Sequence, residues 1–136
     1  MTTQDFKGTV NGVTISDTGW IDYFATSTIV GWAASPTGKI MYKKVGSLVF
    51  VKFSIIGTSN ATNATFTMPY TIKGDMDTYL PAGYTKDNGV VQTAPGCIRP
   101  GINAATVYLY KDLTTSVAWT NSGDKRIDGE FFYEAA

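Results

Sequence analysis

The side chains that could do chemistry are few. Carboxylates come in two close pairs, Asp75-x-Asp77 and Asp128-x-Glu130. A pair of acids can cleave a glycosidic bond, and adjacent hard oxygens can begin a calcium site. Asp75-x-Asp77 lacks the further acidic and glycine positions of a calcium loop. Asp128 and Glu130 alternate with apolar neighbours, the pattern of a solvated strand face. The chain has no histidine. That removes the side chain most used for acid–base work near neutral pH, and the usual zinc and iron ligand. The expectation is a protein that is not an enzyme and uses no metal or cofactor.

Aromatic residues offer a different chemistry. Tyr79 and Tyr84 lie in Lys73–Asn88, KGDMDTYLPAGYTKDN, near Asp75, Asp77, Lys86 and Asp87. Rings beside carboxylates suit a hydroxyl-rich ligand, because the ring packs against it and the polar groups fix its orientation. Trp119 precedes a polar turn and is a further candidate. Tyr79, Tyr84, Asp75, Asp77 and Trp119 are therefore the expected carbohydrate-binding residues. The competing reading makes the stretch an exposed, variable loop. Trp20 and Trp32 sit beside strand patterns and are assigned to core or interface packing.

These residues must be positioned by strands. Lys39–Gly57, KIMYKKVGSLVFVKFSIIG, is two extended segments joined at Val45-Gly46-Ser47. In its second segment Val49, Val51, Phe53 and Ile55 form one alternate set, all β-branched or aromatic; Leu48, Phe50, Lys52, Ser54 and Ile56 form a mixed set. A strand sends such sets to opposite faces. Further strands are expected at Val10–Ser16, interrupted by the turn signal Asn11-Gly12, and at Trp20–Ala25, Ser27–Trp32, Ala64–Met68, Gly89–Pro100, Ala104–Tyr110, Ser116–Trp119 and Ile127–Tyr133. Lys73–Asn88 reads as a long loop without periodicity, and residues 1–8 as a polar lead-in. Turn residues recur at short intervals and no helical pattern is sustained. The fold expected is a single all-β domain, an antiparallel β-sandwich of jelly-roll type with nine or ten strands.

Composition narrows the partners. The chain has 136 residues with 11 basic and 11 acidic side chains, a formal net charge of zero. Without a basic footprint, no nucleic-acid partner is expected. No apolar run is long enough for a membrane span, and the N-terminus lacks the apolar core of a signal peptide. The single cysteine, Cys97, cannot form an internal disulfide and reads as a small buried residue. Phe50, Ile56 and Phe132 fall on strand faces opposite the expected core, so that face needs a second sheet or another subunit.

A tryptophan before a Pro/Gly loop, then GKIMYKKVGSLVFVKFSIIGTSN, then FTMPY, resembles the distal domains of phage and prophage tail-fibre proteins. The ending, SGDKRIDGEFFYEAA, is similar to the closing strand of such domains. The resemblance covers roughly residues 30–70 and 104–134, and residues 73–100 lie outside it. It implies a homotrimeric β-sandwich at a fibre tip, on the virion or outside a cell, that binds a cell-surface glycan or protein receptor without enzymatic activity. Residues 73–100 are then where receptor specificity would vary. The chain lacks a triple-helical or coiled-coil stem, so it reads as an excised C-terminal domain or as a small protein using the fold alone. A free-standing carbohydrate-binding module or lectin, and a purely structural virion component, are the alternatives.

Overall fold

A computed structural model describes residues 6–10 and 12–136. Its backbone is all-β, with two antiparallel sheets packed face to face. The larger sheet has the order β1 (Phe6–Val10), β2 (Val13–Asp17), β4 (Thr37–Val45), β5 (Leu48–Thr58), β12 (Asp124–Glu134), β8 (Tyr84–Asp87), β9 (Val90–Val91); the short β3 (Ile21–Asp22) pairs with β4. The smaller sheet has the order β6 (Thr65–Thr67), β11 (Thr106–Tyr110), β10 (Cys97–Pro100), β7 (Leu80–Pro81).

The β4–β5 hairpin is the sheet's spine. Its register runs from Thr37↔Ile56 to Val45↔Leu48. A two-residue turn closes it, with Gly46 at φ 57° in the first central position, where a primed turn needs a residue without a side chain. The alternation in β5 holds throughout: Val49, Val51, Phe53 and Ile55 are buried, while Leu48, Phe50, Lys52 and Ile56 are exposed. β12 pairs with β5 over its full length, from Asp124↔Thr58 to Glu134↔Leu48, and turns Lys125, Ile127, Phe131 and Tyr133 inward. The small sheet answers with Phe66, Ile98, Val107 and Leu109. The Phe53 and Phe66 ring centroids are 5.0 Å apart, so the sheets meet through aromatic contact. A β-carbon at Gly129 would lie 2.8 Å from Ile98 Cδ1 and 3.2 Å from Phe53 Cζ, so a larger residue there would displace buried side chains where β12 approaches the small sheet. Each fully buried Val, Ile or Phe contributes about 1.5–3 kcal/mol, which makes this seam the main source of stability.

Several expected boundaries move. Phe6–Gly8, read as lead-in, belongs to β1, which pairs with β2 as a hairpin; residues 1–5 and Asn11 of the expected turn lie outside the described residues. Trp20–Ala25 is strand only at Ile21–Asp22, because the Asp22 carboxylate accepts the Phe24 N–H and the Tyr23 carbonyl accepts those of Thr26 and Ser27, turning the chain. Ser27–Trp32 makes only the isolated bridges Val30↔Thr65 and Trp32↔Ser59. Lys73–Asn88 is a loop only in its first part, since β7 and β8 occupy the rest. Ser116–Trp119 is not a strand. The total is twelve strands among the described residues: β1, β7 and β8 fall in stretches read as lead-in or loop, Gly89–Pro100 divides into β9 and β10, and Ser27–Trp32 and Ser116–Trp119 drop out. Trp32 and Cys97 are buried as expected, but Trp20 is 40% exposed and lies outside the core.

Candidate functional site

The site is built on the outer face of the small sheet. Val107 and Leu109 of β11 face the core, so Tyr108 and Tyr110 stand on the opposite side. The register sets Arg99 of β10 on one flank of Tyr108 and Thr65 of β6 on the other. Tyr79, just ahead of β7, extends the row. The Arg99 guanidinium lies 5.8 Å from the Tyr79 ring centroid and 5.4 Å from that of Tyr108. Arg99 Nη2 donates to the Asp77 carboxylate at 3.0 Å. Burial disfavours the guanidinium, but hydrogen bonding to Tyr110 and the Asp77 charge outweigh it and raise its pKa. Arg99 Nε is buried without a hydrogen-bond partner. Tyr79 is 56% and Tyr108 37% exposed, so both rings offer area to a ligand while the cation between them is held fast.

Tyr108 and Tyr110 also wall a groove of about 370 Å³. Its other wall is the segment 115–119, with Asn63 and Thr65 at the β6 side. That segment has no ladder of its own, and its shape comes from buried polar anchors. Asp87, on the inner face of β8, accepts Lys111 Nζ at 2.8 Å, the Thr120 N–H at 3.0 Å and the Thr120 hydroxyl at 2.9 Å. Burial pushes the Asp87 carboxyl up, but Lys111 and Thr120 outweigh it and hold it below the usual range. The Trp119 N–H donates to the Thr62 carbonyl at 3.1 Å, and its indole N–H to the Leu109 carbonyl at 3.0 Å. Behind Trp119 lies Lys125, fully buried. Its ammonium donates to the carbonyls of Gly31 and Asn63, each at 2.9 Å, and of Ala61 at 3.3 Å. It sits 4.9 Å from the ring centroids of both Trp32 and Trp119.

The five expected residues do not form one site. Tyr79 and Asp77 come together at Arg99. Asp75 is turned to Lys73 at 3.4 Å, beside Glu134. Tyr84 lies across the molecule. β7 belongs to the small sheet and β8 to the large one, so the chain changes sheets between the two tyrosines. Tyr84 stacks instead with Arg126, 5.0 Å away, which is paired with Asp128 at 2.7 Å. Trp119 is only 3% exposed and offers no free face; it supports the groove from behind. Both carboxylates of Asp75-x-Asp77 are thus turned to cations, and among the described residues no group of three potential ligands could hold a metal ion. Arg99, Tyr108, Tyr110, Asn63, Thr65, Thr115 and Ser116 were missed as site residues. The available signal was Tyr108-x-Tyr110 alternating against Val107 and Leu109.

The outer face of the large sheet has another character. Trp20, Phe50, Phe132 and Leu80 border a depression of about 540 Å³, larger than the groove, whose only charged side chains are Lys52 and Glu130. Lys52 Nζ lies 4.3 Å from the Trp20 ring centroid. Phe50 and Phe132 pair across the strands at 6.2 Å, with Phe132 59% exposed. This surface has few groups to orient a small ligand, whereas the smaller groove has many. The groove is therefore the better candidate site. Chemically it can pack and hydrogen-bond a hydroxylated ligand. No nucleophile with an adjacent base, and no free pair of carboxylates, faces it.

The fold and groove thus define an antiparallel β-sandwich with an aromatic, hydroxyl-lined depression on one outer face. No protein-family model matches the chain, and a search of curated proteins returns no match. Among the described residues no helix is long and apolar enough to cross a membrane.

Proposed function

We propose that the chain is a non-enzymatic receptor-binding domain of tail-fibre type that recognises a cell-surface carbohydrate. One observation carries the reading: the Tyr79–Arg99–Tyr108 row runs into a groove edged by hydroxyl and amide side chains. Tyrosine rings pack against the C–H faces of sugars, and hydroxyls and amides set their orientation. The exposed Trp20–Phe50–Phe132 face is assigned to assembly, since a monomer rarely leaves a contiguous apolar patch uncovered. The assembly proposed is a homotrimer, with the domain on a virion or outside a cell.

The test is binding to intact bacterial cells and to a glycan array, with solution mass measured in parallel. Tyr79→Ala with Tyr108→Ala is expected to abolish the signal, while Tyr84→Ala leaves it unchanged. Undiminished binding by the double variant would refute the site. A mass three times that of the chain supports the fibre-tip reading; a monomer that still binds sugar supports the carbohydrate-binding module instead.

A further inference from the structure

From the charges around the groove we infer that its ligand is an uncharged oligosaccharide, and that acidic glycans are rejected. The inference rests on the carbohydrate reading above and specifies it. No acidic or basic side chain lines the groove. Its polar groups are the hydroxyls of Thr65, Tyr108, Tyr110, Thr115 and Ser116 and the amide of Asn63, with Thr62 beside them. These donate and accept in either sense, which matches sugar hydroxyls, and none can neutralise a carboxylate or sulfate.

The charges close by are already committed within the chain. Arg99 Nη2 is held by Asp77 at 3.0 Å, and its Nε is buried out of reach. Lys111 is held by Asp87 at 2.8 Å. The Asp112 carboxylate accepts the Thr114 N–H at 2.9 Å and its hydroxyl at 2.6 Å. The Lys125 ammonium is enclosed behind Trp119, bonded to carbonyls. An anionic sugar in the groove would lose hydration and meet no cation that lacks a carboxylate or carbonyl partner, which is unfavourable. A neutral sugar loses only hydroxyl hydration, which the groove replaces.

The groove is also pre-shaped. Thr115 sits at φ 59°, a left-handed conformation that is costly for a β-branched residue. Its N–H reaches back to the Asp112 carbonyl, and the Asp87 anchor fixes the segment beyond Trp119. A wall held in such a conformation need not order itself on binding.

The experiment uses the whole chain labelled with nitrogen-15. It is titrated with neutral probes (maltohexaose, cellohexaose, mannohexaose and chitohexaose) and with anionic probes (oligogalacturonate, oligosialic acid and a hyaluronan hexasaccharide). Ser116→Trp, at an exposed position on the rim, fills the groove without touching the core. At least one neutral probe is expected to shift amides in 62–65 and 108–119, with affinity independent of salt and lost in Ser116→Trp. Anionic probes are expected to bind at least about tenfold more weakly. Tighter binding of an anionic probe at these amides overturns the inference and leaves the carbohydrate reading standing. Neutral binding that survives Ser116→Trp moves the ligand elsewhere and also overturns it. Silence from both sets overturns the carbohydrate reading itself.

Discussion

Lys125→Met tests how a fully buried ammonium is tolerated without a carboxylate in contact. The side chains are similar in volume, so the change removes the charge and the donors. The Gly31 carbonyl keeps the Asn60 N–H and the Ala61 carbonyl keeps at most a share of the Ser59 hydroxyl, whose one proton also reaches the Thr120 carbonyl at 2.6 Å, whereas the Asn63 carbonyl has no second donor among the described residues. Leaving one buried carbonyl bare costs about 1–3 kcal/mol, and weakening the other two adds roughly 1 kcal/mol more. Loss of the two indole contacts adds about 1–2 kcal/mol. Against this, methionine avoids burying a charge. Burial pulls the Lys125 pKa down from 10.5 to about 8, with the distant Asp87 charge opposing. That depression corresponds to about 3 kcal/mol of strain on the charged form at neutral pH. The net expectation at pH 7 is a loss of about 0–3 kcal/mol.

The pH dependence is the sharper readout. The folded pKa lies below the unfolded one, so between pH 8 and 10.5 the unfolded chain binds more protons. Stability therefore rises with pH across that window. Urea unfolding of both proteins from pH 7 to 10 should show the wild type gaining about 1–2.5 kcal/mol relative to Lys125→Met. The lower end applies because the carbonyls and indoles favour the ammonium. Taking the difference also cancels the buried tyrosines. Burial pushes Tyr42 up to about 12 and raises Tyr133 too, which lowers stability above pH 10 in both proteins. A flat difference across the window would show that the carbonyl cage, and not burial, sets the proton affinity, and the reasoning would fail.

Three further substitutions probe the frame. Gly38, at φ 142°, faces the Ser54 carbonyl so closely that a β-carbon would overlap it, whereas Gly46 opens to solvent. Gly38→Ala should cost about 3 kcal/mol and Gly46→Ala about 1 kcal/mol in urea unfolding; equal costs would contradict the packing described. Asp87→Asn should lose about 3 kcal/mol at pH 7. The Asp87 carboxyl titrates below its ordinary 3.8 in the fold, so its contribution is present above that value and lost as pH falls further. The variant should lack this part of the acid-unfolding limb, and an unchanged limb would remove Asp87 as the anchor.

What was legible in the sequence was local. The β5 alternation and the Gly46 turn each reside in a few consecutive residues, and both stand. The pairing of β5 with β12 joins residues more than sixty positions apart, and no short pattern announces it. Tyr79 and Tyr84 were grouped because sequence proximity was the only available guide, and nothing in Leu80–Gly83 marks a change of sheet. Arg99 was hidden by Pro100-Gly101, a strong turn signal, although proline is tolerated at the end of a short strand. Lys125 was readable in principle. It is in phase with Ile127, Phe131 and Tyr133, and alternation alone places it inward, but a Lys-Arg pair after a polar turn suggests solvent.

Lys125 and Asp87 also explain how an uncharged groove is held open. The segment 111–119 lacks a strand ladder, so hydrophobic packing and pairing cannot define it alone. Asp87 fastens it through Lys111 and Thr120, and Lys125 backs Trp119 while fixing the turn that carries Asn63. Both charges do this from behind the wall and direct their polar atoms to the chain. The rim is left with hydroxyls, an amide and ring faces. Substitutions at the supports should therefore weaken binding only together with stability. Substitutions at Tyr108 or Ser116 should change binding with the melting temperature unmoved, and that separation is what distinguishes a built site from an incidental depression.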